Sequence, residues 1–238
     1  MTRGLLSSRY RPRTAGVDPA PDFPDYHATA LRHPKQPLIV IPQTLSELTG
    51  PVYPYGRIGP LDNDLTRQHA GEPIGPRILV EGRVLDESDQ PVPNTLIEIW
   101  QANAAGRYRH RVEEHDAPLD PNFSGAGRTV TDADGRYRFI TIRPGPYPWL
   151  NHDNAWRPAH IHFSLFGTNF LTRLVTQMYF PGDELLSLDP IFNSIRDASA
   201  RQRLVASFDI DRSVPQHALA YRWDIVLRGR ERTPMEGR

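Results

Sequence analysis

"RILVEGRVLDESDQPVPNTLIEIWQAN", Arg77 to Asn103, alternates apolar and polar residues twice, with a turn between. In the first half Val80, Gly82 and Val84 fall on one side of an extended chain, and Glu81 and Arg83 on the other. "DESDQPVPN" then supplies turn residues. In "TLIEIWQA" Leu96 and Glu98 lie opposite Ile97 and Ile99. A period of two predicts strand, turn, strand. The same pattern recurs down the chain. "GRTVTDADGRYRFITI" (127–142) reads as a pair of strands around the turn "DADG". "AHIHFSLFG" (159–167) and "RLVTQMYF" (173–180) read as two more, and "LAYRWDIVLRG" (219–229) as the last. One short helix is expected within "NSIRDASARQRLVASF" (193–208) and another within "DYHATALRH" (25–33). Many short strands with turns between them predict an all-β fold: a mixed β-sandwich with long loops and few short helices.

The ends of the chain read differently. Residues 1–74 are rich in proline and predict an extended N-terminal arm with loops. Its apolar segment "LIVIP" (38–42) is expected to pack on its own domain or on a partner chain. Residues 75–238 carry the strand pattern, so the expectation is a single domain whose sandwich begins near residue 75. The 24 prolines are scattered rather than gathered into a linker, which suits turns and sheet edges.

Composition excludes several functions. The 28 basic residues balance 28 acidic ones, so no electrostatic footprint for nucleic acid or an anionic membrane is present. There is no cysteine, which removes disulfides, thiolate metal sites and a cysteine nucleophile. No signal-peptide core and no apolar run of about 18 residues is found, so a cytoplasmic protein is expected.

Chemistry gathers around "WRPAHIHF" (156–163). On a strand His160 and His162 project to one face, where two imidazoles can share a metal ion. The remaining ligands are open at this point. A two-histidine, one-carboxylate set suited to Fe(II) needs a placed carboxylate, and Asp153, though close in sequence, lies in the polar turn "NHDNAW" rather than at helix or strand spacing. His110, His115 or His152 would make a three-histidine set suited to zinc. Two tyrosines in unusual contexts offer a third choice. Tyr147 stands between two prolines in "RPGPYPW" (143–149), a segment unsuited to regular sheet or helix. Tyr108 stands between two arginines in "ANAAGRYRH" (102–110). A phenol ionises near pH 10 unless cations help it, and a hard phenolate oxygen favours Fe(III). Taken singly, each tyrosine is better explained by packing. Arg157, three residues before His160, is either a surface cation or a fixed charge beside a metal. Gln177, on an otherwise apolar strand, needs hydrogen-bond partners of its own. Trp149 and Ile191 read equally well as pocket walls and as core.

Taken together, "WQANAAGRYRH", "GRTVTDADGRYRFITIRPGPYP", "WRPAHIHF", "LVTQMYF" and "YRWDIVLRG" resemble the intradiol ring-cleavage dioxygenases. The likeness runs from "IPQTLSELTGP" to the C-terminal "LRG", and both tyrosine and both histidine contexts match in order. The resemblance implies one non-haem Fe(III) held by Tyr108, Tyr147, His160 and His162. It implies catalytic roles for Arg157, Tyr147 and Gln177, and substrate-binding positions at Trp149, Ile191 and Tyr26. The activity implied is O2-dependent cleavage of 3,4-dihydroxybenzoate between its hydroxylated carbons, giving 3-carboxy-cis,cis-muconate within aromatic catabolism. The full ligand set resembles the β-type subunits of the family. That implies a homologous α subunit in a hetero-oligomer, with the active site at their interface. Catechol and hydroxyquinol enzymes of the family resemble the chain less, since they carry a helical N-terminal segment where this chain is proline-rich. A sandwich without catalysis is the other reading, because its strand pattern alone needs no metal.

Overall fold

The computed structural model describes residues 16–36, 58–153, 156–166 and 174–236. The "LIVIP" segment lies outside the described residues. In chain order the strands are β1 (Arg77–Leu85), β2 (Leu96–Trp100), β3 (Ala126–Val130), β4 (Arg136–Ile142), β5 (Tyr147–Pro148) and β6 (Trp156–Arg157). They continue as β7 (His160–Phe166), β8 (Leu174–Tyr179), β9 (Ser207–Val214), β10 (Ala218–Arg222) and β11 (Ile225–Val226). The helices are short: α1 (Ala28–Arg32), α2 (Pro190–Asn193) and α3 (Ala198–Gln202), with a 3-10 turn at Glu184–Ser187. None of them is long and apolar enough to cross a membrane.

Two sheets form the sandwich. In the first, β1 pairs antiparallel with β4 and parallel with β10 and β11, and β9 pairs antiparallel with β10. The second is antiparallel throughout, in the order β3-β2-β7-β8. The central strands turn their apolar faces inward, as the period of two requires. Ile78, Val80 and Val84 of the first sheet meet Ile97, Ile99, Ile161 and Phe163 of the second in one core. Phe163 joins the layers, with its ring 5.9 Å from Tyr137, 6.2 Å from Phe139 and 4.8 Å from Trp223. Burying a side chain of that size contributes about 1.5–3 kcal/mol. Val17 and Leu65, which precede the first strand, belong to the same core.

Three local expectations need correction. The strands around "DADG" form but do not pair: β3 joins β2 in one sheet and β4 joins β1 in the other. The Asp132 carboxylate accepts hydrogen bonds from the backbone N–H groups of Asp134 and Arg136, which makes the turn a corner between sheets. Turn residues flanked by alternating strands look alike in a hairpin and in such a corner. The short helix expected within 193–208 is α3, but the segment also takes in Asn193, the last residue of α2, and its last residues begin β9. Asp197 starts α3 by accepting from Ser199 and Ala200 N–H. Strand β9 escapes a reading by burial because most of it is exposed. Finally, Tyr147 and Pro148 do form a strand, paired two residues long with Trp156 and Arg157.

Gly82 explains itself in this frame. Its missing side chain would point at the Trp223 backbone, with a Cβ 1.8 Å from the Trp223 carbonyl oxygen. That oxygen also accepts the buried Tyr137 hydroxyl at 2.6 Å. Gly82→Ala should therefore destabilise the sandwich by about 3 kcal/mol, as overpacking against backbone does. Thermal unfolding checks this, with a fall in Tm of roughly 6–12 °C expected for a chain of this size; an unchanged Tm would contradict the packing described.

Candidate metal centre

The centre is built on one end of the second sheet. In the antiparallel register of β7 and β8, His160 stands opposite Tyr179 and His162 opposite Gln177. Opposed residues share a face, so these four side chains form one patch. On the other flank of β7, Trp100 stands opposite His162 and stacks on its ring, with centroids 4.7 Å apart and planes 4° apart. Ile161 and Met178, on the reverse face, belong to the core between the sheets. Both faces of β7 are thus covered, and both histidines are buried.

Local hydrogen bonds orient the imidazoles. His160 Nδ1 lies 2.8 Å from the Pro158 carbonyl, so it carries the proton and donates it there. His162 Nδ1 lies 3.2 Å from a Glu236 carboxylate oxygen and likewise donates. Both Nε2 atoms are then lone-pair acceptors, and they face each other at 3.2 Å. Burial, the Arg157 charge and His162 together hold the His160 imidazole well below its usual pKa. A proton is therefore not what settles there. Burial pushes the Glu236 carboxyl upward, but the hydrogen bond from His162, together with the Arg157 charge, outweighs it and leaves the pKa lowered.

The tyrosines come from two loops pressed together. Gly106, at φ +79°, lets the loop before Tyr108 touch the Tyr147 loop; a Cβ there would sit 2.0 Å from the Pro146 carbonyl oxygen. Asn103 fastens the first loop by accepting from Ala105 and Arg107 N–H and donating to the Pro118 carbonyl. Pairing of β5 with β6 sets Tyr147 opposite Arg157. As a result the Tyr108 and Tyr147 rings meet edge to face at 5.3 Å, and Tyr147 Oη lies 3.5 Å from His160 Nε2. The Tyr108 hydroxyl is buried without a hydrogen-bond partner. Burial pushes its pKa well above the ordinary value, the neighbouring Tyr147 adds to the rise, and Arg157 opposes it. Tyr147 is raised by burial too, against the opposing charge and hydrogen bond of Arg157.

Arg157 is not a surface cation: it is 2% exposed. Its Nε and NH2 donate to the two oxygens of Asp189 at 3.3 and 2.8 Å. NH2 also donates to Gln177 Oε1 at 2.6 Å and to Tyr179 Oη at 3.1 Å. NH1 points into the centre, 3.3 Å from Tyr147 Oη and 3.1 Å from His160 Nε2. Burial opposes the charge, but Asp189 outweighs burial and keeps Arg157 protonated far above the ordinary range. Gln177 finds the partners it needs through its oxygen, while its Nε2 makes no hydrogen bond.

The other expected residues fall around this centre. Trp149 lies under the guanidinium of Arg157 at 5.5 Å, and Tyr26 packs edge-on against Trp149 at 4.9 Å. Tyr26 thus stands one ring removed from Arg157, behind Trp149. Ile191, buried on α2, shares a small cavity with Gln177, Tyr179 and Glu236. The competing ligands do not join the histidine pair. Asp153 is exposed and contacts His27, and His115 packs against Trp156. Among the described residues no group of three or more His, Asp or Glu could hold a metal ion. Four donors remain, two imidazole nitrogens and two phenol oxygens, one of them buried without a partner. That set fits a hard, highly charged cation.

Sequence reasoning missed Asp189, Tyr179, Glu236 and Trp100. Tyr179 was legible in principle, two residues beyond Gln177 on the same strand face. Asp189 carried the signal of a helix cap before proline, which it is, accepting from Ile191 N–H. Glu236 and Trp100 gave no local signal.

A family described as "Dioxygenase" matches residues 48–229, and "Protocatechuate 3,4-dioxygenase beta subunit N terminal" matches residues 11–44. The protocatechuate 3,4-dioxygenase beta chain of Burkholderia cepacia is 60% identical over 227 residues, covering 94% of this chain and 96% of that one. The alpha chain of the same enzyme from Pseudomonas putida is 29% identical, covering 83% of this chain and 97% of that one. Among solved structures, 3-chlorocatechol 1,2-dioxygenase of Rhodococcus opacus 1CP shares the fold with a TM-score of 0.55 at 23% identity, covering 75% of this chain and 70% of that one.

The buried pair gives a direct test. Asp189→Leu strands the Arg157 charge and should cost about 3–5 kcal/mol, whereas Arg157→Met with Asp189→Leu should cost far less. Denaturant unfolding of both variants checks it; equal losses in the single and double variants would mean the pair is not coupled as described.

Proposed function

The chain belongs to the intradiol dioxygenase family, on the branch of the protocatechuate 3,4-dioxygenase beta chains, and from that membership we propose that it cleaves protocatechuate (3,4-dihydroxybenzoate) with O2. The product is 3-carboxy-cis,cis-muconate. Both oxygen atoms enter the product and no reductant is consumed. The observation that carries this reading is the convergence of two Nε2 lone pairs and two tyrosine hydroxyls beside one buried guanidinium. We assign Tyr108, Tyr147, His160 and His162 as the ligands of one ferric ion. Such an ion supplies Lewis acidity that lowers the catechol pKa values and an electron sink that activates the ring toward O2.

The protein supplies the rest. Tyr147 Oη, which the Arg157 guanidinium helps to ionise, is placed to accept a proton from a substrate hydroxyl. Arg157 NH1 aims a fixed donor at the point where negative charge gathers on the substrate oxygens. Because Asp189, Gln177 and Tyr179 already hold the guanidinium, no reorganisation is needed when substrate arrives. Trp149 forms a wall beside Arg157, with Tyr26 behind it, and Ile191 backs Gln177. The Arg157 charge is balanced by Asp189, so the ring carboxylate is left for a cation from a partner. We assign that partner as a homologous alpha-type chain, a reading that the similarity of this chain to both beta and alpha chains supports.

The test is a visible absorption spectrum of the chain purified with its alpha-type partner, before and after anaerobic addition of protocatechuate. A broad tyrosinate-to-iron band that shifts on addition is expected, and Tyr108→Phe should alter the band and cut turnover. Arg157→Lys keeps a cation opposite Asp189 but loses the aimed NH1 donor; turnover should fall about a hundredfold, the effect of roughly 3 kcal/mol. A Tyr108→Phe protein with unchanged colour and turnover would sink the assignment. Faster cleavage of catechol or hydroxyquinol than of protocatechuate would redirect it to a different substrate.

A further inference from the structure

The two histidines of the centre are not oriented in the same way. His160 donates its Nδ1 proton to the Pro158 carbonyl, two residues away, so its tautomer is set by the local chain. The Nδ1 partner of His162 is Glu236, 74 residues away at the C-terminal end. Trp100 stacks flat against the His162 ring and fixes its plane. Stacking does not decide which nitrogen faces the centre, because an imidazole turned over by 180° keeps the same plane. The carboxylate breaks that tie: it accepts a proton from Nδ1 and leaves Nε2 as the lone pair directed at His160.

We propose that Glu236 is the positioning residue that selects the metal-binding tautomer and orientation of His162, making the C-terminal tail a structural part of the metal centre. The proposal rests on the iron reading above. The tail is built to hold that carboxylate in place. Glu236 N–H donates to the Val175 carbonyl at 2.6 Å, on the strand next to His162. Thr176 Oγ1 donates to the Pro234 carbonyl at 2.7 Å, and Thr233 N–H donates to Val226 at 2.8 Å. The N-terminal arm latches the same tail, with Asp18 accepting from Arg232 at 2.9 Å and from Met235 N–H at 3.4 Å. Asp18 thereby supports the segment whose Glu236 meets the imidazole.

The experiment compares the full chain, in complex with its alpha-type partner, with Glu236→Gln and Glu236→Ala. Iron affinity is measured by competition with a chelator, and Tm is measured on the metal-free complexes. Glu236→Ala should bind iron about 10–100-fold more weakly, the usual cost of removing such a partner, with Glu236→Gln between it and the parent because its amide oxygen still accepts. The metal-free Tm should not move. Iron affinity of Glu236→Ala within about twofold of the parent would overturn the proposal while leaving the iron reading intact. A parent complex that binds no iron would overturn both. Should Glu236→Ala fail to fold, nitrogen-15 NMR of the parent loaded with diamagnetic Ga(III) in place of iron decides: a hydrogen-bonded proton on His162 Nδ1 supports the proposal, and a proton on Nε2 overturns it.

Discussion

A guanidinium taken out of water constrains everything near it. Removing Arg157 from solvent carries a desolvation penalty of several kcal/mol even after relaxation. It is recovered only if nearly every donor is met, and here Asp189, Gln177, Tyr179, Tyr147 and His160 meet them. Those partners come from β5, β7, β8 and the cap of α2. One charge thus fixes the mutual position of the ribbon that carries Tyr147, the hairpin that carries the histidines and the helix that carries Ile191. The pair adds little net stability, since its attraction is spent against desolvation. Its effect is on specificity: few arrangements of these elements leave Arg157 satisfied.

A second constraint is steric. The Tyr108 and Tyr147 loops can meet only because Gly106 offers no Cβ to the Pro146 carbonyl. Gly145 does the same against the Ala104 carbonyl, at 2.4 Å from where its Cβ would stand. Irregular backbone so close together must have its polar groups paired, and Asn103 does much of this by serving both loops: its side chain caps the first, and its carbonyl accepts Gly145 N–H at 2.9 Å. Phenol oxygens are thus held by loops whose shape is set by glycine and asparagine, while imidazoles are held by a strand whose shape is set by its register.

This division decides what could be read from the sequence. His160 and His162 were legible because a strand has a fixed period, so two residues apart means one face. The sandwich was legible for the same reason, from Ile97 and Ile99 to Ile161 and Phe163. What pairs with what was not, because register is a long-range property. The "DADG" turn looks like a hairpin although β3 and β4 enter different sheets. The tyrosines stood out only by their odd contexts and needed a family likeness to become ligands. Asp189, Glu236 and Trp100 reach the centre from elements distant in sequence, and no periodicity announces such meetings. Arg157 was noticed as a charge near His160, but its burial and its pairing with Asp189 belong to tertiary structure alone.

The chemistry of the centre follows from what the fold refuses to neutralise. With both Nδ1 protons donated outward, two lone pairs confront each other at 3.2 Å, an arrangement that is repulsive unless something positive lies near them. A proton is disfavoured, since burial and Arg157 depress the basicity of His160. The tyrosines, raised by burial, will not ionise on their own near neutral pH. Arg157 NH1 partly meets this demand, bridging Tyr147 Oη and His160 Nε2. Its hydrogen bonds in the centre go to Tyr147 and His160, while Asp189 holds the other side of the guanidinium. A cation of higher charge can draw on all four donors at once, and in doing so it supplies the field that ionises both phenols. On the proposed reading, the preference for a hard trivalent ion comes from the donor atoms the site offers, two imidazole nitrogens and two phenol oxygens set in a buried pocket.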